Sequence, residues 1–423
     1  MVFFFCFFFL AANNPQNLRL IIRKSCGLLK ICVLLQPKNA SNMPTYIHQS
    51  EQWPHFTWDK ELVTNKLASV NKASGFLMGR LDAIGFDARL SANAEMLSND
   101  IINSSEIEGI SLNVKQVRSS IARKLGIPSD DDVPSSHYVE GIVEMMLDAV
   151  SHYRQPLTHD RLFGWHNCLF PSGMSGYSKI DVAQYRKDEM KVVSGFYGRE
   201  KVHYEAVPAQ NVLKEMNVFL DWFNTDIASP TYLKSAIAHF WFVCIHPFDD
   251  GNGRIGRAIA DMALSQADDS AMRFFSMSRQ INKSKKSYYD VLERVSRQTD
   301  TDITEWLIWY LDCMTCAINA SDEVLSHILM KASFWQNHAH ITFSERQNMV
   351  LNLYLDGYSG KLTVKNWAKH CKVSVDTASR DIKDLVEKGV LEPQQGRMRD
   401  VYYGIRCDDD TLLVPGPKND DED

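Results

Sequence analysis

The sequence predicts a mainly α-helical chain, and three observations carry that reading. Apolar residues recur at i, i+3 and i+4 through most of the 423 residues, as in Leu233, Ala236, Ile237, Phe240, Trp241, Cys244 and Ile245. Alternation with a period of two is confined to short stretches around glycine turns, at residues 191–203 and 390–405. With 45% hydrophobic residues at this length, the chain can bury a large core and should hold about two or three domains.

The formal charge of −6 excludes a protein that coats nucleic acid, although a local basic face is compatible with it. Nine cysteines, odd in number and scattered, do not form a disulfide framework and point to a reducing compartment. Cys313-Met-Thr-Cys316 is a lone C-x-x-C in an apolar helical run, which reads as packing rather than as a redox or zinc site.

In chain order, residues 1–42 stand apart. Val2–Ala12 is nearly all apolar, too short for a membrane span of about 20 residues. It also lacks the basic start of a signal peptide, because the first cation is Arg19. This segment is expected to be an upstream extension outside the fold. Residues 43–127 then form a helical domain, with one amphipathic helix ending near Gly85 and a second from Ser91 to Glu108. The second stops in Ser104-Ser105-Glu106-Ile107-Glu108-Gly109, where a glycine terminates the helix. Pro128–Ser136 is a polar linker. Residues 137–320 form the core: helices at His137–Tyr153 and His159–Phe170, then Val192, Val193, Ser194 and Gly195 in a hairpin with Lys201–His203, then a helix at Val212–Phe223. Ile303–Ile318 and Glu323–Trp335 read as two further helices, the latter within a linking segment at 321–340. Asp408–Asp410 and Asp420–Asp423 lie in an acidic tail, residues 407–423, expected to be disordered.

One stretch carries chemistry: His246-Pro247-Phe248-Asp249-Asp250-Gly251-Asn252-Gly253-Arg254-Ile255-Gly256-Arg257. It is a loop between two buried helices, opening onto the N-terminus of the second. Glycines let backbone N–H groups approach a ligand, and the helix start adds a positive dipole end, so the pair makes an anion site. Arg254 and Arg257 share one face beside it. Asp250 suits a divalent metal bridging phosphates, and His246 is the residue type most often used as a general base. Gly251-x-Gly253-x-x-Gly256 is not a dinucleotide turn. Five residues separate it from any strand, and no second strand ends in an acid about 20 residues on. A Walker loop is excluded because no Lys-Ser/Thr follows.

At every defined position this stretch resembles the H-x-F-x-[D/E]-G-N-G-R-x-x-R signature of the Fic (filamentation induced by cAMP) family. The resemblance implies a helical core with a β-hairpin flap, and transfer of AMP from ATP to a protein hydroxyl with release of pyrophosphate. Carried over by position, His246 deprotonates the target Ser, Thr or Tyr, and Phe248 anchors the loop. Asp250 holds Mg²⁺. Gly251, Asn252, Gly253 and Arg254 cradle the phosphates, and Arg257 takes the γ-phosphate. Residues 192–195 fall where the family carries its flap, which pins the target by strand addition. Ser104, Glu108 and Gly109 fit the family's inhibitory [S/T]-x-x-x-E-[G/N] motif, implying that Glu108 competes with phosphate for Arg257. Transfer of another phosphate-containing group, or removal of AMP, stays open.

Residues 341–406 look like a winged helix-turn-helix, with Val375–Lys388 as its recognition helix. Ser379, Arg380 and Lys383, with Arg397 and Arg399 on the wing, stand where DNA contacts belong. Eleven Lys/Arg against eight Asp/Glu leave this segment a net of only +3, so a protein contact stands beside DNA as its use. The expected protein is cytoplasmic, takes ATP and Mg²⁺, acts on a target protein and on itself, engages no membrane, and is compatible with a homodimer. The reading from a different class is a DNA-binding regulator whose Fic domain senses nucleotide.

Overall fold

The computed structural model describes residues 20–25, 28–33, 46–82, 85–127, 133–194, 201–226, 229, 231–358, 360–395, 401–407 and 412–413. Its helices are α1 Lys60–Asp82, α2 Phe86–Ile107, α3 Val114–Leu125, α4 His137–Ser151, α5 His159–Leu169, α6 Val212–Thr225 and α7 Thr231–Ile245, followed by α8 Asn252–Ala267, α9 Met277–Lys283, α10 Lys285–Ser296, α11 Thr304–Asn337, α12 Glu345–Leu355, α13 Val364–Cys371 and α14 Val375–Glu387. The strands are β1 Leu20–Ser25, β2 Leu28–Val33, β3 Met174–Ser175, β4 Ser178–Lys179, β5 Lys191–Ser194, β6 Lys201–Glu205, β7 Leu391–Gln395, β8 Val401–Arg406 and β9 Leu412–Leu413. Predominantly helical architecture follows from the apolar periodicity.

The chain divides into two compact units, residues 1–74 with 93–319, and residues 75–92 with 320–423. In the first, α7 is buried almost all round, from Leu233 to Ile245, and packs along α8. A helix apolar on every side is a core helix. α4, α5 and α6 enclose this pair, contributing Val143, Met146, Leu162, Trp165, Phe219 and Phe223, while Leu97 and Ile101 of α2 and Val117 and Ile121 of α3 close another side. α3 is a helix the periodicity passes over, although its ends are well marked. Asn113 Oδ1 accepts from Gln116 N–H at 3.2 Å, and Gly126 follows in the left-handed region.

Three expectations change. The predicted break between Ile318 and Glu323 is absent: α11 runs unbroken from Thr304 to Asn337, with Ser321 buried within it. Residues 1–42 were set outside the fold, yet β1 and β2 pair antiparallel and β2 adds to β5, with Ile31 opposite Val193. The unpaired edge of β5 offers the backbone groups that β2 needs. The acidic tail is only partly described, and Leu412–Leu413 pairs with β8.

In the second unit, α12, α13 and α14 surround Trp367, Ile382 and Leu385, and β7 and β8 pair as the wing. Among the described residues, no helix is long and apolar enough to cross a membrane.

Candidate active site

The loop from His246 to Gly251 is fixed from both ends and from beneath. His246 N–H still donates to Phe242 O at 3.0 Å, but its φ of 52° takes the chain into the left-handed region. Few side chains adopt that conformation, and it is held here by surrounding contacts. Arg186, 3% exposed, supplies them: Nε donates to His246 O at 2.8 Å, Nη1 to Asp188 O at 2.9 Å and Nη2 to Val207 O, while its backbone N–H donates to Pro247 O at 2.9 Å. Burial pulls this guanidinium down to about 10, still charged at neutral pH. Sequence reasoning missed Arg186, which no local motif marks.

Phe248 is fully buried and stacks on His166, ring centroids 4.3 Å apart. The Asn252 side chain turns back on the loop, donating to Phe248 O at 2.7 Å and accepting from Phe248 N–H at 2.9 Å. It therefore fixes the loop's shape, and only the backbone of Asn252 lies at the helix start. Gly251 has φ 87°, and a Cβ there would meet the Phe170 ring at 2.9 Å, so both backbone and space call for glycine.

Asp250 Oδ1 accepts from Gly251 N–H at 2.6 Å and Oδ2 from the buried Ser175 hydroxyl, which orients the carboxylate. Its backbone carbonyl accepts from His166 Nε2 at 3.1 Å, while His166 Nδ1 accepts from Ala183 N–H at 3.1 Å. His166, pushed down to about 4 by burial, is thus a neutral bridge beneath the loop. Among the described residues, no three His, Cys, Asp or Glu gather as a metal cluster. A Mg²⁺ ion keeps several waters and takes one or two carboxylates plus substrate phosphates, so a single oriented Asp250 fits it.

His246 Nδ1 lies 3.2 Å from Val243 O. A carbonyl only accepts, so the neutral ring carries its hydrogen on Nδ1 and leaves Nε2 as a proton acceptor. Burial first, then the Arg186 charge, pushes this imidazole down to about 4.

Arg257 and Arg254 are both nearly fully buried. Arg254 donates to the Tyr138 hydroxyl at 2.8 Å and lies over the Phe170 ring. Arg257 faces the end of α2: Nε donates to Ser104 Oγ at 2.8 Å, and Nη2 to Ser104 O at 2.8 Å and to Glu108 Oε1 at 3.0 Å. Its Nη1 is buried with no hydrogen-bond partner among the described residues. A Cβ on Gly253 would collide with Glu108 Oε1. The Glu108 carboxylate therefore lies against the backbone at the start of α8, where an anion would sit.

β5 and β6 form the expected hairpin, with a register shift between Val192 and Val193. Gly195 lies outside the described residues. β5 is paired on both edges, to β6 and to β2, so a target strand would have to replace β2.

Comparison with known proteins now bears on these contacts. The Fic/DOC family profile matches residues 156–264, which include the whole loop. Residues 156–264 are therefore a Fic domain. The family described as a domain of unknown function, DUF4172, matches residues 46–127, and a DeoR-like helix-turn-helix domain matches 353–400. The chain is 24% identical over 173 residues to "Protein adenylyltransferase Fic" of Nematostella vectensis, across 40% of this chain and 37% of that one. It is 26% identical over 152 residues to "Probable protein adenylyltransferase aq_aa38" of Aquifex aeolicus, across 34% of this chain and 44% of that one. The likeness thus spans less than half of either relative. A Fic family protein from Desulfovibrio desulfuricans G20 shares the fold at 21% identity with a TM-score of 0.51, covering 83% of this chain and 98% of that one.

On α14, Ser379, Arg380 and Lys383 are exposed on one face with Val375 and Asp376, while Ala378, Ile382 and Leu385 are buried. Arg397 and Arg399 lie outside the described residues.

The buried imidazoles set an acid limit. Burial lowers His48, His166 and His246 to about 4 and His239 to about 3. Each stays neutral in the folded chain but takes a proton on unfolding below about pH 6.5, so the unfolded state binds more protons there. Stability should therefore fall as pH drops from about 6.5 toward 4. Thermal unfolding at pH 7 and pH 5 checks this, and an equal or higher midpoint at pH 5 contradicts it.

Proposed function

We propose that this Fic protein is an autoinhibited, Mg²⁺-dependent protein adenylyltransferase of the cytoplasm. It moves AMP from ATP to a Ser, Thr or Tyr hydroxyl of a target protein and releases pyrophosphate. The observation that carries the reading is the competition for Arg257, whose guanidinium faces the anion site at the start of α8 and is held by Glu108.

His246 Nε2 accepts the target's hydroxyl proton, with Nδ1 fixed on Val243 O. The N–H groups opening α8, with Arg254, hold the phosphates, and Arg257 takes the terminal one once Glu108 withdraws. Asp250, oriented by Ser175 and Gly251, would hold a Mg²⁺ ion, whose charge would neutralise that of the phosphates. The relatives named as adenylyltransferases support ATP as the donor. The decisive measurement is AMP incorporation by intact mass, after purified protein is incubated with ATP and Mg²⁺.

For the C-terminal unit we infer DNA contact through the exposed face of α14, supported by the match to a DeoR-like helix-turn-helix. Binding to a promoter fragment should weaken steeply with salt, because lysine and arginine displace condensed counterions. Removing residues 341–423 should abolish the gel shift and leave AMP transfer in place. If the truncated chain loses its target instead, the unit is a protein-contact domain.

A further inference from the structure

The flap carries a second set of reactive groups, separate from the loop of His246. Ser194 Oγ on β5 lies 2.5 Å from His203 Nε2 on β6. The other ring nitrogen, Nδ1, lies 2.5 Å from Glu293 Oε2 on α10. A carboxylate only accepts, so in its neutral form the ring carries its hydrogen on Nδ1 and turns the Nε2 lone pair toward the serine hydroxyl. Glu293 is itself fixed, since Oε1 is 3.1 Å from Lys201 Nζ and 3.2 Å from Arg297 Nη1. Burial pushes the Glu293 carboxyl up, but the hydrogen bonds from His203 and Lys201 outweigh it and hold the group below its ordinary value, hence charged. The His203 and Glu293 side chains keep 26% and 22% exposure, so the series is accessible from solvent.

Nucleophile, base and orienting carboxylate in hydrogen-bonded series are the arrangement that activates a serine, on whatever fold it occurs. A hydroxyl placed only for strand packing needs no imidazole aligned by a carboxylate. Lys201 stands directly opposite Ser194 in the strand register, which puts a cation on the same rung and favours an anionic electrophile.

Resting on the transferase reading, we propose that Ser194 is an activated nucleophile and the residue on which this protein places AMP on itself. The Ser194 Oγ–phosphorus bond forms at the α-phosphate of ATP, and the bridging α–β phosphorus–oxygen bond breaks. His203 Nε2 takes the hydroxyl proton, and pyrophosphate leaves with the bonding pair.

The test uses the full chain in two arms, with the modified residue located by peptide mass spectrometry. A fluorophosphonate probe, which phosphonylates base-activated serines, should label Ser194 in the native protein and not after denaturation. His203→Gln should slow that labelling by about 10²-fold or more. Glu293→Gln, which keeps the ring and its volume, serves as the second variant, and circular dichroism verifies that each is folded. With ATP and Mg²⁺, AMP should appear on Ser194, and more of it in Glu108→Gly, where Arg257 is released. No probe on Ser194, or labelling that neither folded variant slows, overturns the proposal. AMP on other residues but not on Ser194 overturns it while leaving the transferase reading standing. AMP on no protein, in Glu108→Gly as in wild type, with the probe still on Ser194, overturns the transferase reading and the acceptor assignment with it.

Discussion

Glu108→Gly should raise AMP transfer, self-modification included, by about 10²-fold, the size of effect expected when a reacting group moves by about 1 Å. In the resting chain the carboxylate is 3.0 Å from Arg257 Nη2 and rests over Gly253. On the autoinhibition model, ATP that binds against it would have its terminal phosphate displaced, which would turn the α-phosphate out of line with the incoming hydroxyl. Removing the carboxylate leaves Arg257 held by Ser104 Oγ and Ser104 O, so the guanidinium stays aimed at the site. That remaining support should spare the fold the several kcal/mol that follow when a buried ion pair loses one partner. Arg257→Ala also breaks the pair, but it removes the phosphate contact too, so it should not activate. The double variant should behave as Arg257→Ala does, because both residues act on one site and their effects cannot add. Intact mass at saturating ATP decides, and equal AMP incorporation by wild type and Glu108→Gly would end the autoinhibition model.

The parts of this site that sequence could reveal are those whose chemistry is contiguous. Twelve residues from His246 to Arg257 carry base, carboxylate, glycines and both arginines, because a loop feeding a helix N-terminus is built from neighbours in the chain. Ser104 and Glu108 were visible for the same reason, one helical turn apart. The groups that hold this machinery in place were not visible. Arg186 clasps the loop's carbonyls from 60 residues away, Ser175 orients Asp250 from 75, and Tyr138 meets Arg254 from 116. Such contacts exist only after the core has closed, and each of these residues looks ordinary in its own stretch. The mistaken break in α11 has a similar origin, since Ser321, polar between two apolar runs, is buried once the helix packs. Asn252 shows the reverse case. Its place in a phosphate-binding motif suggests ligand contact, whereas its side chain completes two bonds to Phe248.

His246→Ala should lower AMP transfer by about 10²–10⁴-fold, or roughly 3–5 kcal/mol of barrier, while leaving ATP affinity nearly unchanged. In the proposed reaction the ring accepts a proton at Nε2 and holds no phosphate, and its other nitrogen faces Val243 O. Burial keeps it neutral at pH 7, so it enters the reaction as a base without first losing a proton. The backbone complicates the alanine variant, since φ is 52° and alanine tolerates the left-handed region poorly. His246→Asn separates the two effects. Asparagine is among the side chains most often found in that region, and its amide cannot act as a base near neutral pH. Both variants should therefore lose transfer, with the asparagine form unfolding close to the wild-type temperature. An asparagine variant that transfers AMP at nearly the wild-type rate would place the base elsewhere. Loss confined to the alanine form would mean that His246 serves to shape the loop, leaving proton acceptance to another group.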